Sequence, residues 1–112
     1  MVLDISTTNG IIIITFVRRL DTDNAAAVED ELKKITGQSP ERVLFDFSKT
    51  EYIASAGLRV LLITTRSILK KGGIVALSSL SPKVRKVFEI AGFTKIFSIF
   101  GSREEALLSL QK

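Results

Sequence analysis

Two chemically versatile side chains are missing from this sequence, which contains no cysteine and no histidine among its 112 residues. Without cysteine there can be no disulfide bond and no thiol nucleophile, and without histidine there is no imidazole general base. The usual ligands of zinc are absent for the same reason. Any chemistry would have to depend on carboxylates, lysines or hydroxyl groups, and we expect neither a metal site nor a cofactor.

Long apolar stretches are also absent. The longest run, Ile11 to Ile14 followed by Phe16 and Val17, is much shorter than the roughly 20 residues that span a bilayer. The N-terminus does not resemble a signal peptide, because Asp4 interrupts its apolar residues and no basic start or cleavage site accompanies them. We therefore expect a cytoplasmic protein that does not insert into a membrane.

The charge balance raises the question of nucleic acid, since 16 lysines and arginines face 12 acidic residues for a net charge of +4. The positive residues are spread in small groups with few aromatics among them: Arg18-Arg19, Lys33-Lys34, Lys70-Lys71, and Lys83, Arg85 and Lys86. This spread favours a solvated surface and no direct nucleic-acid partner. The length and the hydrophobic fraction of 46% predict one soluble domain over residues 1–112, of unknown oligomeric state.

The pattern of apolar residues predicts an α/β fold with the order ββαβαβαβα. The expected strands are Val2 to Thr7, Ile11 to Val17, Val43 to Phe47, Ile74 to Leu77 and Ile96 to Phe100, with Asn9-Gly10 as the turn of the first hairpin. The expected helices begin near Ala25, Ser55, Pro82 and Ser102, and they end near Gly37, Lys70, Gly92 and Leu110. This order predicts a mixed sheet of about five strands packed with about four helices.

The segment from Val43 to Leu62 joins a strand to a helix through a short polar turn. Val43 to Phe47 has the composition of a buried strand, and from Ser55 onward the apolar residues recur with a helical period on one face: Leu58, Leu61, Leu62, Thr65, Ile68 and Leu69. In open α/β sheets, binding sites lie beyond the carboxyl ends of strands. We therefore expect the segments Leu20-Asp21 and Asp46-Phe47-Ser48 to lie beside Ser55.

Ser55 itself has two interpretations. Serine is among the best N-cap residues, so it could simply accept a hydrogen bond from an amide in the first turn. Alternatively, Ala56 and Gly57 make that turn free of bulk, which would allow a partner to approach closely. Because a phosphate at a helix N-terminus is stabilised by the free amides and the helix dipole, the position also suits a phosphoacceptor.

The segments Asp46-Phe47-Ser48 and Tyr52-Ile53-Ala54-Ser55-Ala56-Gly57-Leu58-Arg59-Val60-Leu61 resemble the signature of the STAS domain family. This family includes bacterial anti-sigma factor antagonists and the cytoplasmic ends of sulphate transporters. The resemblance covers nearly the whole chain and places Ser55 on the family's phosphorylated serine. One difference is Ala54, because many members with a documented switch carry an acidic residue immediately before the serine.

The resemblance implies an anti-sigma factor antagonist. When unphosphorylated, it would bind a serine-kinase-type anti-sigma factor and release a sigma factor; phosphorylation of Ser55 would end binding, and a phosphatase would reset the switch. The predicted partner-binding residues are Asp21, Thr22, Asp46, Ser48, Ala54, Ser55, Ala56, Gly57 and Arg59. The alternative is a STAS scaffold or subunit of a transporter or signalling complex that does not switch.

Intrinsic catalysis has little support in the sequence. Asp21, Asp46 and Ser55 are the only plausible catalytic group, and no histidine or neighbouring lysine is available to activate the serine. Ser55-Ala56-Gly57 also lacks the glycine spacing and the lysine of a nucleotide-binding loop. We therefore predict no catalytic residues.

Overall fold

The computed structural model describes residues 2–111, so Met1 and Lys112 of the predicted domain lie outside it. Within that range the strands are β1 (Asp4–Thr8), β2 (Ile11–Thr15), β3 (Arg19–Leu20), β4 (Arg42–Asp46), β5 (Tyr52–Ile53), β6 (Ile74–Ser78) and β7 (Ser98–Phe100). The α-helices are α1 (Ala25–Thr36), α2 (Ser55–Lys70), α3 (Pro82–Ile90) and α4 (Arg103–Leu110). The α/β class and the predicted order are confirmed, with two additional short strands, β3 and β5.

The main sheet has the strand order β1-β2-β4-β6-β7 across the described residues. The β1–β2 hairpin is antiparallel and turns at Asn9 and Gly10, whose φ angles of 50° and 77° are those that an Asn-Gly turn supplies. The other neighbouring strands in this sheet are parallel, because a helix carries the chain back to the end of the sheet at which the previous strand began. Strands β3 and β5 form a separate parallel pair.

The two faces of the main sheet carry different helices. Ile14, Phe45 and Leu77 belong to the larger core, which also contains buried residues of α1, α2 and α3. Leu44 and Ala76 belong to a smaller core beneath α4. Successive residues of a strand point to opposite faces, so strands covered on both sides are apolar at nearly every position.

Phenylalanine side chains connect helix α3 to the end of strand β4. The rings of Phe16 and Phe47 are stacked with centroids 4.8 Å apart, and Phe47 contacts Phe88 of α3 edge to face at 5.9 Å. Phe88 in turn contacts Phe97, with ring centroids 5.8 Å apart. A 3-10 turn at Phe93–Lys95 leads into β7, so the last strand begins later than the predicted Ile96.

Helix α2 lies on the larger core with the expected face. Leu58, Leu61 and Ile68 are buried, whereas Arg59 and Arg66 are exposed as predicted. The predicted apolar face was too wide at its end, because Leu69 is 48% exposed. The orientation of α2 is thus determined by its buried side chains, and its opposite side is available to solvent or to a partner.

Because one side of α2 is buried and the other is exposed, two substitutions on this helix should differ strongly in their effect on the free energy of unfolding. Leu61→Ala should reduce the free energy of unfolding by about 2 to 5 kcal/mol, because shortening this fully buried side chain leaves a cavity in the core. Arg66→Ala, the matched control on the exposed side, should change it by less than about 0.5 kcal/mol. Chemical denaturation of both variants measures these values, and equal losses would contradict the assigned face.

Candidate functional site

The candidate site is built by the short parallel pair of β3 and β5. Arg19 pairs with Tyr52 and Leu20 with Ile53, and the Ala54 amide donates to the Leu20 carbonyl at 2.9 Å. These backbone contacts set the segment after Leu20 directly against the segment that begins helix α2. Backbone hydrogen bonds between β3 and the β5–α2 segment therefore bring Leu20-Asp21 close to Ser55, as expected.

Ser55 is the first residue of α2, so the interpretation of Ser55 as the N-cap, one of the two that the sequence allows, does not hold. Ala54 occupies the N-cap position in an extended conformation and has no side chain that could cap the helix, while its carbonyl accepts from the amides of Gly57 and Leu58. Ser55 is exposed. The side-chain hydrogen bonds found among residues 2–111 do not include its hydroxyl.

Gly57 faces the interior of the protein. It is buried, and a Cβ atom at this position would lie 2.6 Å from Leu20 Cγ and 3.0 Å from the Leu20 carbonyl oxygen. The expectation that Gly57 opens the helix to a partner is therefore wrong: its missing side chain admits β3 of the same chain. Ala56 is half-buried and packs against the larger core. The absence of a side chain at Gly57 thus allows α2 and β3 to approach each other closely.

The loop between β3 and α1 is held by its own side chains. Asp21 Oδ1 accepts from the Asp23 amide at 3.0 Å, and the Asp21 amide donates to Asn24 Oδ1 at 3.0 Å. The Asn24 side-chain amide donates to the Arg19 carbonyl at 2.7 Å. These contacts show the turn-forming role of Asp21 that the sequence allows. Thr22 is exposed within this turn.

Sequence analysis missed an arginine–tyrosine pair beside the site. The Arg19 guanidinium carbon lies 4.6 Å from the centre of the Tyr52 ring, and Arg19 Nε is 3.7 Å from Asp21 Oδ2. Both Arg19 and Tyr52 are exposed. Arginine and tyrosine are common at the energetic centres of protein interfaces. The parallel pairing of β3 with β5 brings them together, and neither strand was among the predicted elements.

Asp46 does not belong to this surface, contrary to expectation. It lies on the α4 face of the sheet with Leu44, because strand residues two apart share a face, and it is only 2% exposed. Arg103 donates to Asp46 Oδ2 from Nε, at 3.2 Å, and also from Nη2. The Ser48 amide donates to Asp46 Oδ1 at 2.9 Å. Asp46 therefore joins α4 to β4, whereas Ser48 itself is exposed in the turn.

Two opposing effects act on the pKa of Asp46. Burial raises the pKa because it disfavours the charged form, but hydrogen bonds from Arg103 and from Ser48 outweigh burial and hold the pKa below its ordinary value of 3.8. The carboxylate is thus the stable form in the folded protein at neutral pH. Its charge contributes to attaching α4 to the sheet.

Arg59 lies one turn after Ser55 on α2 and is exposed. Residues four apart in a helix are neighbours on its surface, so Arg59 and Ser55 share one side of α2. We define the Ser55 surface as seven exposed or half-buried residues around the start of α2: Arg19, Asp21, Thr22, Tyr52, Ala54, Ser55 and Arg59.

The described residues offer no sign of a pocket, a metal site or a membrane-spanning helix. Across residues 2–111, no pocket and no group of three or more potential metal-ligating side chains is found. No helix in this part of the chain has both the length and the apolar character needed to cross a membrane.

A family model described as the STAS domain matches residues 3–106. The chain belongs to the STAS domain family. Among similar proteins, BtrV of Bordetella bronchiseptica, provisionally named an anti-sigma factor antagonist, is 37% identical over 106 residues. The aligned region covers 95% of this STAS domain chain and 91% of BtrV.

Solved structures share the fold of this STAS domain. A Thermotoga maritima protein, provisionally described as an anti-sigma factor antagonist, superposes with a TM-score of 0.93 at 22% identity, covering 98% of this chain and 95% of that one. The anti-sigma factor antagonist SpoIIAA in its unphosphorylated form gives a TM-score of 0.72 at 18% identity, covering 96% and 94% of the two chains. Bacillus SpoIIAA in the phosphorylated form gives 0.72 at 20% identity, covering 94% and 96%.

The contact between Gly57 and Leu20 predicts that Gly57→Ala destabilises the STAS domain. Alanine favours a helix over glycine by about 1 kcal/mol, but overpacking against Leu20 should cost about 1 to 3 kcal/mol and exceed this gain. Thermal or urea unfolding measures the net loss. In a double-mutant cycle, Leu20→Ala should relieve part of the effect because it removes the contacting side-chain carbons. A Gly57→Ala variant more stable than the parent would contradict this packing.

The lowered pKa of Asp46 predicts a pH-dependent contribution to stability. Asp46→Asn should lower the free energy of unfolding at pH 7 by about 1 to 3 kcal/mol, because it weakens charge-assisted hydrogen bonds to Arg103. Since the folded pKa is lower than the unfolded one, the contribution of Asp46 is complete above about pH 5 and is lost as the pH falls below about 4.

Urea unfolding at several pH values between 7 and 3 tests this contribution. The difference between the parent protein and Asp46→Asn should be constant near neutrality and should shrink in acid. Asp23→Asn, which changes an exposed aspartate, is the matched control. A difference that stays the same down to pH 3 would show that the charge of Asp46 does not hold α4.

Proposed function

We propose that this STAS domain is an anti-sigma factor antagonist whose Ser55 surface binds an anti-sigma factor of the serine-kinase type and thereby releases a sigma factor. The observation that carries this proposal is the exposure of Ser55 at the first position of α2, where its side chain is not the cap of the helix. The names of BtrV and SpoIIAA support the class of partner.

The shape of the Ser55 surface suits contact with a protein. Ala54, Ser55 and Thr22 have small side chains, so a partner backbone can come close to the start of α2. Beside them, Arg19 and Tyr52 hold each other in place and would lose little conformational freedom on binding. We expect this pair to anchor the partner at the edge of the contact.

Phosphorylation of Ser55 would end the complex. The anti-sigma factor would supply ATP and a general base, the Ser55 oxygen would attack the γ-phosphorus, the base would take the hydroxyl proton, and ADP would leave. The phosphoserine carries a charge of about −1.5 to −2 at pH 7. A partner surface that fits the neutral hydroxyl would have to desolvate this charge and has no positive group of its own placed to meet it, which disfavours binding strongly.

The STAS domain itself should tolerate the phosphate. No acidic residue lies in the first turn of α2, and the dipole of the helix favours a negative charge at its N-terminus. The same modification is thus compatible with the fold and incompatible with the complex. A phosphatase that hydrolyses the phosphoserine would restore binding.

One observation favours the alternative of a STAS scaffold or subunit that does not switch. Ala54 is the N-cap of α2 and offers no carboxylate beside Ser55 for a kinase to recognise. In this alternative, the Ser55 surface is a permanent interface in a transporter or signalling complex. Partner affinity would then depend on Arg19 and Tyr52 but not on the phosphorylation state of Ser55.

Two substitutions of Ser55 distinguish the candidates. Ser55→Ala should bind the anti-sigma factor from the same genome as the parent does, and it should leave stability nearly unchanged because Ser55 is not a cap. Ser55→Asp should remain folded, since it places a negative charge at the N-terminus of α2, but it should bind at least tenfold more weakly, a loss of about 1.4 kcal/mol or more. Titration calorimetry and melting curves measure both properties.

Ser39→Asp provides the control for added charge. Ser39 is an exposed serine at the opposite end of the sheet, before β4 begins, and its φ of 50° is tolerated by aspartate. This variant should bind like the parent. If folded Ser55→Asp also binds like the parent, the switch is rejected and the scaffold alternative stands.

A further inference from the structure

Arg59 differs from most arginines of this STAS domain in its surroundings. Arg18, Arg19, Arg85 and Arg103 each have a nitrogen within 4 Å of a carboxylate oxygen. Arg42, Arg59 and Arg66 have no such partner among residues 2–111, and of these three only Arg59 lies within one turn of the start of α2, where it is exposed. Its guanidinium is therefore available to an anion brought to the Ser55 surface.

The spacing of Ser55 and Arg59 allows them to meet. They are four residues apart on α2, which brings their Cβ atoms to about 5 to 6 Å from each other. The long arginine side chain can reach a group attached to the Ser55 oxygen, and its planar fork matches two phosphate oxygens.

The other charged groups around Ser55 are partly compensated. On β3 and the following loop, Arg19 and Asp21 lie close to each other, with Asp23 exposed further along the turn. Before β5, Glu51 Oε2 is 2.7 Å from Arg18 Nε. Of the arginines on α2, Arg59 is thus the one nearest to Ser55, and it forms no ion pair with a carboxylate among residues 2–111.

We propose that Arg59 is the intramolecular counter-ion of a phosphoryl group on Ser55 and that phosphorylation thereby withdraws Arg59 from the partner. This inference rests on the proposed phosphorylation of Ser55. In the unmodified protein, Arg59 is free to contact an acidic group of the anti-sigma factor. In the modified protein, the phosphate holds the guanidinium and also presents its own residual negative charge.

The pairing explains how one modification can act twice on the same interface. It introduces a charge at Ser55, and it removes a favourable charge one helical turn away. An aspartate at position 55 is shorter and has fewer acceptor oxygens than phosphoserine, so it should hold Arg59 less well. Real phosphoserine is therefore required to test the inference.

Phosphoserine can be placed at position 55 by genetic encoding, and its second pKa can be followed by phosphorus NMR as a function of pH. A nearby positive charge favours the dianion and lowers this pKa. The pKa should rise by about 0.2 to 0.4 unit in Arg59→Gln relative to the parent, the size expected for an exposed ion pair. Arg66→Gln, two turns further along α2, is the matched control and should leave the pKa unchanged.

Two further readouts test the contact directly. The Arg59 side-chain Nε–H resonance should shift when Ser55 is phosphorylated, and the pKa difference should shrink in 1 M salt, where the Debye length is about 3 Å. Equal pKa values in the parent, Arg59→Gln and Arg66→Gln would overturn the pairing. So would an Arg59 resonance that does not respond to the phosphate.

A binding experiment separates this inference from the proposed function. Phosphorylation should weaken binding of the anti-sigma factor by a smaller factor in Arg59→Gln than in the parent, because the variant has no Arg59 to lose. If phosphorylation weakened binding by the same factor in Arg59→Gln and in the parent, the proposal that the phosphate withdraws Arg59 from the partner would be overturned. If phosphorylation does not weaken binding by the parent at all, the proposed switch fails, while a pKa difference due to Arg59 would still support the ion pair.

Discussion

The close approach of helix α2 to strand β3 is the constraint on which the candidate site depends. A Cβ atom at position 57 would collide with Leu20, so the close approach requires glycine there. The Ala54 amide also donates to the Leu20 carbonyl. Together these contacts place the start of α2 beside the β3–α1 loop. If α2 stood farther from β3, Ser55, Thr22 and the Arg19–Tyr52 pair would not form one surface.

The two faces of the main sheet carry different helices, and only the helix on one face begins at the Ser55 surface. Helix α4 covers one face through Ala106 and Leu110, and the buried Asp46 holds its first residue, Arg103. Helix α2 covers the other face and presents Ser55 and Arg59 to solvent. The acidic residue that ends β4 is therefore part of the fold, while the serine that follows nine residues later is free to interact.

The electrostatic setting of Ser55 is suited to a charge that appears only after modification. The first turn of α2 has no acidic residue, and the nearby Asp21 is close to Arg19. A negative group at Ser55 would meet the positive end of a helix dipole and Arg59, which has no carboxylate partner among residues 2–111. The isolated domain can thus accommodate a group that a closely fitted partner would exclude, which is the property a phosphorylation switch requires.

Much of the fold followed from local pattern. The Asn9-Gly10 turn, the apolar face of α2 and the Ser81-Pro82 start of α3 each depend on residues close in sequence, and the structure confirms all three except for Leu69 at the end of that face. The boundaries of α2 at Ser55 and Lys70 were also predictable, because the apolar period changes at one end and glycines follow at the other. Strands β3 and β5 were not, since two-residue strands carry no periodic signal.

The candidate site shows where local pattern is insufficient. The sequence alone determined that Ser55 begins a helix with little bulk around it and that Arg59 lies on its exposed side. Tertiary structure decided that Gly57 packs against Leu20, that Asp46 points toward α4, and that Arg19 stacks on Tyr52. These outcomes depend on contacts between residues far apart in the chain, and on which of two covered sheet faces a side chain meets. When both faces are apolar, alternation along the strand cannot distinguish them, so only the packed fold assigns each residue its role.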